Sequence, residues 1–105
     1  MADSTDKLLR DYFSGRLKLM TEIDPKHKQE IADITFCLSV IQPEHSQVIK
    51  RYYSDKFITW DEVVSEAGKS NSALRTWRKD FKTLLNIILQ HGDEFIKLRR
   101  EALQV

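Results

Sequence analysis

The chain has little of the material that breaks helices or cross-links a fold. Its 105 residues include three glycines, two prolines and one cysteine. The single cysteine, Cys37, excludes an internal disulfide and fits a reducing cytosol. So few glycines and prolines, among many Leu, Lys, Glu and Arg residues, favour an all-helical protein. The length predicts a single domain, residues 1–105, with one hydrophobic core.

Apolar runs of membrane-spanning length are also missing. The longest run falls far short of the roughly 20 apolar residues that a span requires. The opening MADSTDK has no apolar stretch like that of a signal peptide. We therefore expect a cytoplasmic protein without a membrane partner.

The chain has almost no net charge, because 17 Lys and Arg residues stand against 16 Asp and Glu residues. The total therefore does not predict a protein that coats nucleic acid. The distribution is more informative. Residues 69–82 hold five cations and one anion, whereas residues 60–68 hold three anions and no cation. Acidic and basic character is thus separated along consecutive elements.

Apolar residues recur at steps of three and four, which is the period of amphipathic helices. The expected fold is all-α with five to six helices. It divides into an N-terminal helical part (1–42), a helix-turn-helix part (43–90) and a C-terminal helix (91–105). The pattern and its capping residues place the helices at about 4–23, 25–41, 43–54, 60–67, 71–90 and 93–103.

Several finer expectations follow from single residues. Gly15 lies inside the first predicted helix and marks a bend or a close helix contact. His91-Gly92-Asp93 predicts a break before the last helix. Tyr52 is expected in the core and Tyr53 at the surface, because Tyr52 lies four residues after Val48.

Residues 60–79 have the spacing of a helix-turn-helix. The first helix ends at Gly68, which tolerates positive φ, and Ser70 caps the next helix. Trp60, Leu74 and Trp77 are expected to face the core. Asparagine can read adenine, arginine can read guanine, and hydroxyls can contact bases or phosphates. The predicted DNA-binding residues are Ser70, Asn71, Ser72, Arg75, Thr76 and Lys79, with Arg78 and Lys82 extending the basic surface.

Two segments carry a resemblance, VIKRYY at 48–53 and TWDEVVSEAGKSNSALRTWRKDFKTLL at 59–85. They resemble region four of bacterial sigma factors, which binds the promoter −35 element. The whole chain resembles small phage late-gene activators of the ArpU/RinA type, although residues 1–42 match only in length and helical character. Lys69 departs from the motif, which often has an apolar residue there.

The resemblance implies a transcription regulator in a bacterial host cell, with double-stranded DNA as its partner. It implies DNA contacts by the exposed residues of the second motif helix. RNA polymerase and a second copy of the chain are further candidate partners.

Other interpretations stay open at this point. Residues 69–82 could be a solvated basic face. The chain could be a protein-interaction module that uses its N-terminal helices or Phe95, Ile96 and Leu98. It could also be the DNA-recognition subunit of a phage packaging machine. A second basic patch, at Lys97, Arg99 and Arg100, is a solvated face or a phosphate contact.

Catalysis and cofactor binding are not expected. The three histidines lie in separate segments and only one cysteine is present, so zinc-ligand spacing is missing. No Ser/His/Asp arrangement, glycine-rich phosphate loop or paired-carboxylate motif stands out. The sequence therefore predicts a protein that is not an enzyme and has no cofactor.

Overall fold

The computed structural model describes residues 3–103, with side chains described for residues 3–90. Within this range the chain forms six α-helices and no strand, which confirms the predicted all-α fold of five to six helices. The helices are α1 (Ser4–Ser14), α2 (Arg16–Met20), α3 (Lys26–Val40), α4 (Pro43–Ser54), α5 (Trp60–Ala67) and α6 (Asn71–Leu103).

Side chains at the helix starts satisfy backbone N–H groups that have no partner within the helix. The Asp3 carboxylate accepts the backbone N–H of Asp6 at 2.8 Å and begins α1. Thr59 accepts the N–H of Glu62 at 3.2 Å and begins α5. Asp24 accepts the backbone N–H two residues later, just before α3. The caps of α1 and α5 confirm the predicted starts of these helices, whereas α3 has Pro25 at its N-cap and begins one residue later than predicted.

Gly15 divides the first predicted helix into two. Its φ of 85° lies in the left-handed region, and its N–H donates to the Tyr12 carbonyl at 3.2 Å, which closes α1. This conformation is available to glycine at little steric cost. The bend expected at Gly15 is therefore confirmed, but the prediction of one continuous helix from 4 to 23 is wrong.

The predicted break at His91-Gly92-Asp93 is also wrong, because α6 continues through it to Leu103. A glycine inside a helix costs only about 1 kcal/mol relative to alanine. A helix of 33 residues can include one residue of this cost. The two last predicted helices are thus one.

The larger hydrophobic core, here the large core, joins α1, α2, α3, α4 and α6. Cys37 lies in it on the apolar face of α3. Burial, followed by the nearby carboxylate of Asp33, raises the pKa of Cys37 to about 11, so the thiol stays protonated at neutral pH. The buried members of the large core are Leu9, Leu17, Ile34, Cys37, Ile49, Tyr53, Phe81, Leu85 and Ile88.

The prediction that assigned Tyr52 to the core and Tyr53 to the surface is wrong. Tyr53 is buried, four residues after the fully buried Ile49, and its hydroxyl donates to the Asp6 carboxylate. Burial first, and this hydrogen bond second, raise the pKa of Tyr53. Tyr52 is half-buried, with its ring 5.2 Å from that of Trp60. Helical spacing allowed either stripe to face the core, and the hydrogen-bond partner lies in another helix.

A second and smaller hydrophobic core, here the small core, joins α4, α5 and α6. Its buried residues are Val48, Ile58, Val63 and Leu74. Both tryptophans are half-buried against it, as predicted. The small core fixes the position of α5 against the first turns of α6.

Candidate nucleic-acid interface

The connection between α5 and α6 is a three-residue turn with defined caps. Gly68 has a φ of 66°, and its N–H donates to the Val64 carbonyl at 3.2 Å. Ser70 accepts the backbone N–H of Ala73 at 3.1 Å through its hydroxyl. Both residues act as the sequence predicts, and together they set the direction in which α6 leaves the turn.

Apolar contacts hold the first turns of α6 against the rest of the protein. Leu74 is fully buried in the small core beside Val63 of α5. Trp77 stacks on His45 of α4, with ring centroids 3.9 Å apart and an interplanar angle of 16°. Because these contacts cover one face of the first turns of α6, the opposite face is exposed to solvent.

That exposed face carries the residues that the sequence predicts for DNA binding. The Thr76 hydroxyl donates to the Ser72 carbonyl at 3.0 Å, so part of its hydrogen-bonding capacity is used within the helix. The structure brings to the exposed start of α6 all six residues Ser70, Asn71, Ser72, Arg75, Thr76 and Lys79.

The five cations of residues 69–82 have different surroundings. Arg75 and Lys79 are exposed and form no ion pair with any side chain in the described part of the chain. Lys69, the departure from the motif, is exposed in the turn and lies 3.8 Å from a Glu44 carboxylate oxygen. Such an exposed pair contributes little free energy.

Arg78 and Lys82 are held by other helices. The Arg78 guanidinium lies 4.3 Å from the ring centroid of Trp60 and 5.3 Å from that of Tyr52. The Lys82 ammonium lies 2.8 Å from the Asp3 carboxylate and 3.2 Å from that of Asp6. Burial opposes the charged form of Lys82, but the hydrogen bonds to these carboxylates dominate and raise its pKa.

A shallow depression of about 280 Å³ gathers the four cations of residues 75–82. Thr83 and Asn86, which the sequence interpretation missed, extend it by one turn. Helical spacing was the available signal, because these residues lie four positions after Lys79 and Lys82. The Thr5 hydroxyl of α1 donates to the Asn86 amide oxygen at 2.8 Å. The depression is lined by Arg75, Arg78, Lys79, Lys82, Thr83 and Asn86.

Two further polar contacts support this region and were not foreseen. The Trp60 indole N–H donates to the Asn71 amide oxygen at 2.8 Å. The Arg51 guanidinium makes two hydrogen bonds to the Glu66 carboxylate, at 2.9 and 3.0 Å, and so joins α4 to α5. The hydrogen bond with Arg51 lowers the pKa of Glu66. The charge of Glu66 is thus used in a contact between α4 and α5.

Several predicted features lie outside the residues whose side chains are described. They are the basic patch of Lys97, Arg99 and Arg100, the apolar set of Phe95, Ile96 and Leu98, and His91.

Comparisons with family models, with curated proteins and with solved structures find no match to this chain. In the described part of the chain, no helix combines the length and the apolar character that a membrane span needs.

Proposed function

We propose that this protein is a sequence-specific DNA-binding transcription regulator that places the start of α6 in the major groove. The observation that carries this proposal is the combination of two faces on one helix. Leu74 and Trp77 hold α6 to the small core, while Arg75 and Lys79 are left exposed and unpaired among the described side chains. A cationic helix face that the fold itself does not neutralise is available for phosphates.

In this proposal the exposed residues divide into two roles. Arg75 and Lys79 contact phosphates and position the protein, and Asn71 and Ser72 approach base edges. One such helix reads only a few base pairs, so useful specificity requires a second copy or a partner such as RNA polymerase. The resemblance to phage late-gene activators supports a phage or prophage regulator as the specific form of this proposal.

The test begins by selecting a preferred duplex from a random pool with the parent protein. Gel shifts on that duplex then compare the parent with the double variant Arg75→Ala/Lys79→Ala between 50 and 200 mM salt. Removing two phosphate contacts should lower the slope of log affinity against log salt by about 1.8. Affinity at the lower salt should fall by at least tenfold.

The matched control is Arg16→Ala/Lys28→Ala, which removes one arginine and one lysine from exposed positions elsewhere. It changes net charge equally and should leave the slope unchanged. Equal slopes for the parent and the Arg75→Ala/Lys79→Ala variant would show that α6 is not the DNA-contacting helix. A parent with no DNA affinity at 50 mM salt would refute the proposed function itself.

One observation favours the alternative of a protein-interaction module. Leu19, in the last turn of α2, is 67% exposed, and Ile23, three residues after the end of α2, is 87% exposed. Large apolar side chains with so much exposure are typical of contact sites when they cluster. This alternative predicts partner binding that the double variant Leu19→Ser/Ile23→Ser abolishes, together with no salt-dependent DNA binding.

A further inference from the structure

The contact between Trp60 and Asn71 determines which end of an amide faces solvent. The Trp60 indole nitrogen lies 2.8 Å from the Asn71 side-chain oxygen. An indole N–H can only donate a hydrogen bond, so its partner must be the amide oxygen and not the NH₂ group. The orientation of the Asn71 amide therefore follows from the chemistry of its neighbour, and the NH₂ group is the end left for another partner.

The indole that sets this orientation is itself held in place. Arg78 stacks at 4.3 Å from its ring centroid. The Tyr52 ring meets it edge-on, at 5.2 Å and an interplanar angle of 83°. The rest of the ring packs against the small core. Because Trp60 is fixed from α4, α5 and α6, the exposed Asn71 side chain is oriented before any ligand arrives.

We propose that Trp60 is a positioning residue that makes Asn71 a hydrogen-bond donor toward DNA. This inference rests on the proposed function and refines it. The partner of Asn71 is then a hydrogen-bond acceptor, either a base-edge atom such as guanine O6 or the N7 atom of a purine, or a phosphate oxygen. Bidentate reading of adenine, which the sequence suggests for an asparagine, needs the amide oxygen to accept from the adenine amino group. In this protein that oxygen already accepts the indole hydrogen, so only its second lone pair is left for such a contact.

The test compares Trp60→Phe, Asn71→Ala and the double variant on the duplex that the parent selects. Phenylalanine keeps an aromatic ring for Arg78 and Tyr52 but removes the N–H group. The matched control is Tyr12→Phe, which also removes the polar group of an aromatic side chain. The Tyr12 hydroxyl of α1 lies 2.8 Å from the Thr35 hydroxyl of α3. Thermal unfolding of every variant separates loss of the fold from loss of positioning.

Each single variant should weaken DNA binding by roughly three- to tenfold, as expected for one hydrogen bond. The affinity of the double variant for the duplex should be no lower than that of the single variant with the lower affinity, because both changes remove one coupled contact. Repeating the duplex selection distinguishes the two acceptors. A base contact predicts that the preference for one base is lost at one position, and a phosphate contact predicts an equal loss on all sequences.

Two results of the binding measurements would overturn the inference. Trp60→Phe could bind as tightly as the parent while Asn71→Ala binds more weakly. The two losses could add in full. If Arg75→Ala/Lys79→Ala weakens binding and neither Asn71→Ala nor Trp60→Phe does, the inference fails and the proposed function stands. A parent without DNA affinity overturns both.

A readout without DNA completes the test. Hydrogen exchange of the Trp60 indole N–H, followed by NMR, should be faster in Asn71→Ala than in the parent, because the acceptor is removed. The Tyr12→Phe control should leave this rate unchanged. An indole rate that does not respond to Asn71→Ala would contradict the positioning role.

Discussion

Two neighbouring stripes of α6 carry the same chemistry at the same spacing and have different environments. Arg75 and Lys79 are four residues apart, and so are Arg78 and Lys82. The first pair is exposed, with no ion pair among the described side chains. The second pair is half-buried, with Arg78 against two aromatic rings and Lys82 between two carboxylates.

The difference shows that the fold divides one basic run into an exposed stripe, Arg75 and Lys79, and a seam between helices, Arg78 and Lys82. The stripe of Arg78 and Lys82 faces α1, α4 and α5, which supply its partners. The stripe of Arg75 and Lys79 faces away from all of them. Helical period separates the two stripes by about 60° if each residue turns by 100°. That rotation is enough to separate exposed cations from cations that contact other helices.

The largest effect that would test this comparison is on folding stability. Replacing Lys82 with methionine leaves the Asp6 carboxylate half-buried without its cation, while the Tyr53 hydroxyl still donates to it. We expect the free energy of unfolding to fall by about 1–2 kcal/mol. Lys79→Met, the same change on the other stripe, should stay within about 0.5 kcal/mol of the parent. Urea unfolding followed by circular dichroism measures both values.

The same two variants should reverse their order in DNA binding. Lys79→Met should weaken binding more than Lys82→Met, because the Lys79 charge is not used within the described part of the protein. Equal loss of stability in the two variants would show that the stripes are not distinct.

A smaller effect should appear when the seam loses a charge but keeps its geometry. Asparagine at position 3 still caps α1, since Asn and Asp are comparable N-cap residues. Asp3→Asn therefore leaves the helix start intact and gives Lys82 one carboxylate fewer. We expect DNA affinity at 100 mM salt to rise about twofold, as Lys82 becomes more available to phosphate. Gel shifts on the selected duplex measure the change.

Asp24→Asn is the matched control for this prediction. Asp24 also accepts a backbone N–H at a helix start and lies 3.7 Å from a lysine, Lys26, but it contacts none of the four cations of the two stripes. Its substitution adds the same unit of net charge. A rise of equal size in Asp24→Asn would mean that net charge, and not the seam, controls affinity.

Local signals in the sequence were sufficient for the α5–α6 connection. Thr59, Gly68 and Ser70 act within four residues of their own positions, so their chemistry predicts the helix ends directly. The exposed face of α6 follows from the buried Leu74 by helical period alone. The DNA-binding residues remain a prediction, but the exposure of the six residues at the start of α6 follows from the sequence.

Contacts between distant segments were not predictable in this way. Lys82 and Asp3 are 79 residues apart, and Tyr53 and Asp6 are 47 apart. Nothing in the local pattern of either segment specifies its partner, because many folds satisfy the same helical periods. For the same reason the sequence assigned the wrong tyrosine to the core. The division of cations into free and paired sets therefore requires the tertiary structure.

The smallest expected effect is the dependence of stability on pH. The hydrogen bond between Lys82 and Asp3 lowers the pKa of the Asp3 carboxylate below 3.8. This carboxylate therefore stabilises the fold fully above pH 3.8, and its contribution is lost as pH falls through the lowered pKa. The pKa of Lys82 is raised above 10.5, so its contribution is complete below that value and is lost as pH rises through the raised pKa. Between these limits the pair should contribute a constant amount.

The stability difference between the parent and Lys82→Met should thus be flat from about pH 5 to 9 and shrink at both ends. The lowered pKa of Glu66 also affects stability at acid pH, but it does so equally in the parent and in Lys82→Met. It therefore cancels in the difference between the two proteins. A difference that varies steadily across neutral pH would show that Lys82 is not paired with these carboxylates in solution.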